Sequence, residues 1–273
     1  MTYEEKKQAL LAYLRQLAVT DIVVAFSGGV DSSLLLHLCC EAASPVGTVV
    51  YAITMQTALH PHGDLEIARQ VALEAGARHL VLYLDELNEA DIEDNPVDRC
   101  YRCKLTLFRK LQDKAVELGA TYVLEGTNED DLHVYRPGIR ALQELGILSP
   151  LAKFGFTKAD VRQMAAEQGL SVAQRASVPC MATRFPYGTR LSKELMQKVA
   201  DVEEWMREKG FYNVRLRVHQ NIGRLEVDVH DMALCVAMRE EIAERLEQMG
   251  LDYATLDLRG FRSGSMDIKI RKE

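Results

Sequence analysis

The chain has 273 residues, of which 48% are apolar and 7 are proline, so it can bury a substantial core in one large domain or two smaller ones. Its formal net charge of -7 argues against extensive contacts with a nucleic-acid backbone and favours a small-molecule partner. No apolar run approaches the ~18 residues that a membrane span needs, and the charged residues 4–7 are unlike a secretory signal, so we expect a cytoplasmic protein without a membrane partner.

The first part of the chain alternates predicted helices and strands. Leucines at helical spacing over residues 3–18 predict an amphipathic helix, and residues 21–26 form the first predicted buried strand. The helices and strands that follow are predicted at 33–43, 48–54, 65–76, 79–84, 104–119 and 121–125, with a polar insertion at 88–99. This order is typical of parallel βαβ units, so we expect an α/β fold with a doubly wound, mostly parallel sheet.

A smaller domain is predicted after this sheet. Thr157 and Asp160 have the spacing of a capping box and predict a helix that runs to about residue 169. Residues 177–191 break all periodicity, so we place the junction there and expect one domain over 1–185 and a C-terminal α+β domain over 186–273. The elements predicted in the second domain are helices at 193–210 and 232–249 and strands near 214–218, 225–229, 253–258 and 267–270.

A Gly-rich loop, Ser27-Gly28-Gly29-Val30-Asp31-Ser32, joins the first predicted strand to a helix. Backbone N–H groups and a helix N-terminus at the carboxyl edge of a sheet bind phosphate. The two glycines allow close approach of a ligand, and hydroxyls of Ser27, Ser32 and Ser33 can add donors. A tight turn without a ligand is the alternative. The whole string in its strand-loop-helix context favours nucleotide binding, although it lacks the Lys of a Walker A loop.

This loop resembles the signature of the PP-loop ATP pyrophosphatases, which cleave ATP between the α and β phosphates. The stretch Gly126-Thr127-Asn128-Glu129-Asp130-Asp131 is similar to a second loop of that family. The resemblance implies an ATP pyrophosphatase type of sheet, ATP and Mg²⁺ at the site, and a second loop that faces the nucleotide. It also implies adenine contacts from residues 52–55, including Thr54 and Met55.

Six cysteines without a secretory signal point to reduced thiols. Cys100 and Cys103 are three residues apart, so on a turn or helix start both can point to one side. Cys180 lies in the loop 178–184. A redox dithiol, a zinc site, a three-cysteine iron–sulfur site and incidental buried residues are the alternatives. The other three, Cys39, Cys40 and Cys235, fall in apolar helical runs and are expected to pack in the core.

Together the motifs resemble the LarE family of ATP-dependent sulfur transferases of nickel-pincer cofactor biosynthesis, over nearly the full length. The narrower marker is Pro179-Cys180-Met181-Ala182-Thr183-Arg184. Members with only the cysteine that matches Cys180 sacrifice its sulfur, whereas this chain resembles members whose three cysteines hold a [4Fe-4S] cluster with one open iron. The implied substrate is pyridinium-3,5-biscarboxylic acid mononucleotide, adenylylated and then converted to thiocarboxylates. A sulfur donor and a homo-oligomer are implied as well.

Arg215 and Arg217 alternate on a predicted strand, so their side chains share one face that could clamp a phosphate. A solvated sheet face is the alternative. With the resemblance, this pair and Arg184 are candidates for binding the phosphate of the substrate. The sequence does not choose among three nearby glutamates, Glu203, Glu204 and Glu226.

Two rival functions stay open. A tRNA-thiolating PP-loop enzyme would use the same ATP chemistry, but it would need a basic RNA-binding surface. A regulatory module that binds adenine nucleotides without catalysis would need only the Gly-rich loop.

Overall fold

The computed structural model describes residues 1–60, 63–134, 136–175, 179–262 and 264–266. The chain divides into two units. The first comprises Met1–Thr57, His62–Ile92 and Asp98–Ser177, and the second comprises Ala58–Pro61, Glu93–Val97 and Val178–Glu273. The assignment of separate roles to residues 1–185 and 186–273 stays a prediction.

The first unit is built on a four-stranded parallel sheet with the strand order β3-β2-β1-β4. Its strands are β1 (Ile22–Ala25), β2 (Val50–Gln56), β3 (Arg78–Tyr83) and β4 (Tyr122–Leu124). Its helices are α1 (Tyr3–Leu17), α2 (Val30–Ala43), α3 (Gly63–Glu74), α4 (Glu86–Glu89), α5 (Arg99–Glu117), α6 (Glu129–Leu132), α7 (Gly138–Glu144), α8 (Pro150–Lys153) and α9 (Lys158–Glu167). The predicted α/β class with a parallel sheet is confirmed.

Helices cover both faces of this sheet because side chains alternate along each strand. Ile22 and Val24 of β1 pack in one cluster, which includes residues of α1, α2, α3 and α9. Val23 faces the opposite cluster, formed with Tyr51, Ile53 and residues of α5. The central strands are therefore buried on both sides, and their carboxyl ends open at one edge of the sheet.

Local signals set the helix starts. The capping box at α9 is confirmed, since Asp160 N donates to Thr157 Oγ1 at 3.2 Å and Thr157 N donates to Asp160 Oδ2 at 3.0 Å.

Helix α5 begins at Arg99, five residues before its predicted start, with Asp98 at its N-cap. The predicted polar insertion at 88–99 is thus partly helical. As a result Cys100 and Cys103 lie in the first turns of a helix.

The second unit contains a three-stranded sheet with the order β5-β6-β7. Its strands are β5 (Val214–His219), β6 (Ile222–Val227) and β7 (Tyr253–Leu256), and its helices are α10 (Lys193–Glu208), α11 (Met232–Ala237) and α12 (Arg239–Gln248). Strands β5 and β6 are antiparallel, whereas β6 and β7 are parallel. This small α+β arrangement agrees with the sequence.

One predicted element of the second unit is contradicted by the structure, and another falls on residues that the structure does not describe. The single helix predicted at 232–249 is wrong, because Met238 (φ -92°, ψ 13°) leaves the helical region and separates α11 from α12. The strand predicted at 267–270 falls outside the described residues. Within the part of the chain that the structure describes, no helix is long and apolar enough to cross a membrane.

Candidate functional site

The Gly-rich loop lies between β1 and α2, at the carboxyl edge of the sheet. Gly28 has φ +72°, and a Cβ on it would lie 3.1 Å from the backbone of Ala68 in α3. Only glycine tolerates both this backbone conformation and this close approach. Helix α2 begins at Val30 with Gly29 as N-cap, and no side chain caps it. Its first N–H groups are therefore suited to an anion.

The loop serines play different parts. The hydroxyl of Ser32 donates to the carbonyl of Gly29 at 3.1 Å and accepts from the N–H of Ser27 at 3.3 Å, so it closes the loop on itself. Ser27 is exposed, and its Oγ lies 3.2 Å from Ser32 Oγ. Ser33 is fully buried, and among the described residues its hydroxyl has no hydrogen-bond partner.

The second predicted loop lies directly against the first. A Cβ on Gly126 would lie 2.9 Å from the backbone nitrogen of Ser32, so only glycine fits at this contact. Asn128 Nδ2 donates to Asp31 Oδ1 at 3.0 Å and joins the two loops. The side chain of Asn128 also caps α6, while Thr127 donates to Glu125 Oε2 at 2.8 Å. The structure thus brings both sequence motifs together at one edge of the sheet.

Sequence reasoning missed the cation at this edge. Lys158, the first residue of α9, lies 2.5 Å from Asp31 Oδ2 through its Nζ. Its backbone N–H donates to Asp130 Oδ2 at 2.8 Å. Burial raises the pKa of Asp131, with Arg136 opposing the shift and the nearby Asp31 carboxylate adding to it. Mg²⁺ binds to oxygen ligands, commonly one or two carboxylates together with phosphate oxygens of the substrate. The carboxylates of Asp31 and its neighbours therefore fit this ion.

Thr54 and Met55, the candidates for adenine contacts, lie near the end of β2. Thr54 Oγ1 is 2.8 Å from His79 Nε2 in β3. The imidazole of His79 also packs edge-on against Phe26, with ring centroids 6.0 Å apart. Burial lowers the pKa of His79, and the charge of Arg69 lowers it further, so the neutral imidazole is favoured. His79 was not predicted from the sequence.

The six cysteines form no disulfide with one another. Cys100 and Cys103 are half-buried on α5, and the buried Arg99 directs NH2 toward Cys100 Sγ at 3.6 Å. Cys100 and Cys103 belong to the first unit, whereas Cys180 belongs to the second. The expected core packing is confirmed for Cys39 and Cys235, which are buried. Burial raises the pKa of both these thiols and raises that of the half-buried Cys40 to about 12.

Cys180 immediately precedes a 3₁₀ turn, Met181–Arg184, in the second unit. The guanidinium of Arg184 is fully buried and donates to both oxygens of Glu203, at 2.9 and 2.6 Å. Its NH1 also donates to the carbonyls of Pro179 at 2.8 Å and Cys180 at 3.3 Å. Burial opposes ionisation of Glu203, but Arg184 outweighs it and the pKa of the carboxyl is lowered. Arg184 therefore anchors the backbone at Cys180, and its predicted contact with substrate stays a prediction.

Arg215 and Arg217 of β5 are each 4% exposed, so the alternative of a solvated sheet face is wrong. Arg217 donates from NH2 to Glu226 Oε2 at 2.9 Å and from NH1 to the carbonyl of Thr183 at 2.9 Å. Arg215 lies over the ring of Phe261 at 5.1 Å. Burial lowers the pKa of Arg215 to about 10, and the charge of Arg184 contributes.

The structure separates the three glutamates that the sequence left undecided. Glu203 and Glu226 are fully buried among the arginines, whereas Glu204 is exposed and pairs with Arg207 at 2.5 Å. The second unit also contains a cluster of possible metal ligands that was not predicted from the sequence. It consists of Asp228, His230 and Asp231, whose ligand atoms lie within 4.8 Å of one another.

Comparison with known proteins finds a matching family model and several similar proteins. Residues 2–96 match the family model for NAD synthase. The chain is 34% identical over 271 residues to the pyridinium-3,5-bisthiocarboxylic acid mononucleotide synthase of Lactiplantibacillus plantarum, with 99% of this chain and 97% of that protein covered. An uncharacterized protein of Synechocystis sp. is 35% identical over 92% of this chain and 93% of its own length. A tRNA-specific 2-thiouridylase of Zymomonas mobilis is 34% identical, but over only 57% of this chain and 51% of that protein.

The parallel sheet, its Gly-rich loop after the first strand and the NAD synthase match define an ATP-using enzyme of the PP-loop class. Partial matches to tRNA thiolases fit this class as well. The similarity to the synthase of L. plantarum spans almost the whole of both proteins. On that ground the chain belongs to the LarE family, whose members are sulfur transferases.

Proposed function

We propose that this protein converts the carboxylates of pyridinium-3,5-biscarboxylic acid mononucleotide into thiocarboxylates at the expense of ATP. The name of the L. plantarum relative gives the corresponding bisthiocarboxylic product. The observation that carries the proposal for this chain is the contact between its two loops, where Gly126 lies against Ser32 and Asn128 donates to Asp31. That contact forms a phosphate-binding edge with a carboxylate beside it.

In the first step a substrate carboxylate oxygen attacks the α-phosphorus of ATP. The bond to the bridging oxygen breaks, pyrophosphate leaves with the electron pair, and an acyl adenylate forms. The residues that we assign to holding the nucleotide are Ser27, Gly28, Gly29, Asp31, Ser32, Ser33, Thr54, Met55, Gly126, Thr127 and Asn128. Uncapped N–H groups at the start of α2 suit the charge that develops on the leaving pyrophosphate. Asp31 would hold Mg²⁺, which supplies Lewis-acid stabilisation of that charge.

In the second step sulfide attacks the acyl carbon. AMP leaves with the electrons of the carbon–oxygen bond, and loss of a proton gives the thiocarboxylate. The thiols of Cys100, Cys103 and Cys180 are not in disulfides and have the donor chemistry of a [4Fe-4S] site, and we assign them to it. When bound, such a cluster supplies one iron that is open to a sulfide from an external sulfur donor. The protein itself is then not consumed.

The phosphate of the substrate mononucleotide is assigned to Arg184, Arg215 and Arg217. These three cations are accompanied by two buried carboxylates, Glu203 and Glu226, so one positive charge remains among the five side chains. Guanidinium groups that are already fixed by such partners lose little freedom when they bind phosphate. We further propose that residues 186–273 bind substrate and form a homo-oligomer, and that the protein works in the cytoplasm, where thiols stay reduced.

Anaerobic purification followed by absorption spectroscopy and iron and sulfide analysis tests the cluster. We expect iron–sulfur absorption that is lost in Cys100→Ala, Cys103→Ala and Cys180→Ala, together with multiple-turnover sulfur transfer. Cys40→Ala, on α2 and half-buried, is the matched control and should keep both. If only Cys180→Ala is inactive and wild-type Cys180 loses the elements of H₂S after one turnover, sulfur transfer is sacrificial and the cluster assignment is wrong.

A further inference from the structure

A half-buried ion pair contacts the Gly-rich loop, and the nucleotide assignment does not use it. Arg175 donates from NH1 to the carbonyl oxygen of Gly28 at 3.2 Å and from NH2 to Asp64 Oδ1 at 2.5 Å. The exposed fractions of the two side chains are 21% and 18%. Asp64 lies in the first turn of α3, and Arg162 of α9 donates to the carbonyl of Arg175 at 3.3 Å. The guanidinium is thereby held between Asp64 of α3 and the loop, while Arg162 of α9 fixes the backbone of Arg175.

The bond to the Gly28 carbonyl sets the direction of the next N–H group. In a planar trans peptide the C=O of residue 28 and the N–H of residue 29 point in opposite directions. Fixing the carbonyl of Gly28 toward Arg175 therefore directs the N–H of Gly29 away from Arg175. That N–H has a long contact with Ser27 Oγ, at 3.4 Å. A phosphate oxygen is a stronger acceptor and can replace a contact of this length.

A contact from outside the loop is needed to fix the Gly28–Gly29 peptide, because glycine restricts its own backbone very little. Gly28 has φ +72°, and glycine adopts several backbone conformations at similar energy. A carbonyl that turned toward the ligand would set a negative dipole against phosphate. The charge of Arg175 is balanced by Asp64, so the pair acts on the loop through geometry rather than through net charge.

We propose that Arg175 is a positioning residue of the nucleotide loop, fixing the Gly28–Gly29 peptide so that the N–H of Gly29 donates to the pyrophosphate part of ATP. This inference rests on the proposed nucleotide site. Asp64 orients the guanidinium, and the reacting atoms are touched by neither side chain.

Calorimetry with inorganic pyrophosphate and Mg²⁺, together with steady-state AMP formation, tests this role. Arg175→Gln should raise the Kd of pyrophosphate and the KM of ATP about tenfold, the effect of losing a hydrogen bond to a charged group, with the KM of the carboxylate substrate unchanged. Arg175→Lys should recover part of the loss, because an ammonium can still donate to the Gly28 carbonyl. Arg162→Gln is the matched control, since Arg162 supports the same segment and, among the described residues, has no hydrogen bond to the loop, and it should bind pyrophosphate as the wild type does.

Each contrary result overturns a distinct statement. Equal affinity in Arg175→Gln and the wild type, or equal losses in Arg175→Gln and Arg162→Gln, would overturn the positioning role. Asp64→Asn keeps an acceptor but removes the balancing charge, so tighter pyrophosphate binding in that variant would show that charge rather than geometry governs the loop. If the wild-type protein binds neither pyrophosphate nor ATP, the proposed nucleotide site fails first, and the inference falls with it.

Discussion

Adding one methyl group at Gly126 should disable the nucleotide site while the fold survives. The Cβ of Gly126→Ala would lie 2.9 Å from Ser32 N and 3.1 Å from the carbonyl carbon of Asp31. Both neighbours are backbone atoms at the start of α2, so neither can rotate away. Since nonbonded heavy atoms prefer about 3.5 Å or more, the two loops must separate by roughly half an ångström.

The size of the effect follows from that displacement. Overpacking of this kind costs about 1–3 kcal/mol of stability, which a domain of this size tolerates. A misplacement of about 1 Å in a catalytic arrangement can cost on the order of a hundredfold in rate, so we expect kcat/KM for ATP-dependent AMP formation to fall about tenfold or more. Pyrophosphate release in the presence of the carboxylate substrate measures the rate, and thermal unfolding measures the stability.

Gly63→Ala provides the matched control. It is the same substitution in the first unit, and nothing lies within 4 Å of the added Cβ. Gly63→Ala should therefore keep the wild-type rate. Wild-type kcat/KM in Gly126→Ala would refute the argument that contact between the two loops forms the nucleotide site.

Three further results are expected. Lys158→Ala removes the cation paired with Asp31 and should lower kcat/KM for AMP formation on the order of tenfold, with unchanged KM for the carboxylate substrate; an unaltered rate would contradict a role at the site. Burial lowers the pKa of His79 below its usual 6.5, so the unfolded chain takes up the proton first and stability falls as the pH drops below that value. His79→Gln should therefore lose less Tm than the wild type between about pH 7.5 and 5.5, and an equal loss would contradict this. Glu226→Gln strands the buried Arg217 and should cost about 3–5 kcal/mol in urea unfolding, whereas Glu204→Gln, on the surface, should cost almost nothing.

Periodicity and motif order were enough to predict the parallel sheet and the place of both loops. Strands that are buried on both faces read as apolar runs, and parallel strands bring their carboxyl ends to one edge. The capping box at Thr157 was predictable for the same local reason, because its two partners are three residues apart. Such features depend on neighbours in sequence or on the geometry of a sheet.

Contacts between residues that are far apart in the sequence could not be predicted from a sequence pattern. Lys158 and Asp31 are 127 positions apart, and Arg175 and Gly28 are 147 apart. Alternation on β5 predicted that Arg215 and Arg217 share a face, but not that the face is buried. Burial there depends on two carboxylates contributed by other elements, Glu203 of α10 and Glu226 of β6.

The break between α11 and α12 also escaped prediction, since the apolar spacing continues through it. Met238 carries no helix-breaking signal such as Gly or Pro, yet its backbone leaves the helical region.

Product analysis by mass spectrometry tests the central claim most directly. The anaerobically purified protein would be incubated with ATP, Mg²⁺, sulfide and pyridinium-3,5-biscarboxylic acid mononucleotide. We predict that carboxylate oxygen is replaced by sulfur over many turnovers, with one AMP and one pyrophosphate formed for each sulfur incorporated. Failure to form AMP with this substrate, or AMP formation that requires tRNA instead, would contradict the account.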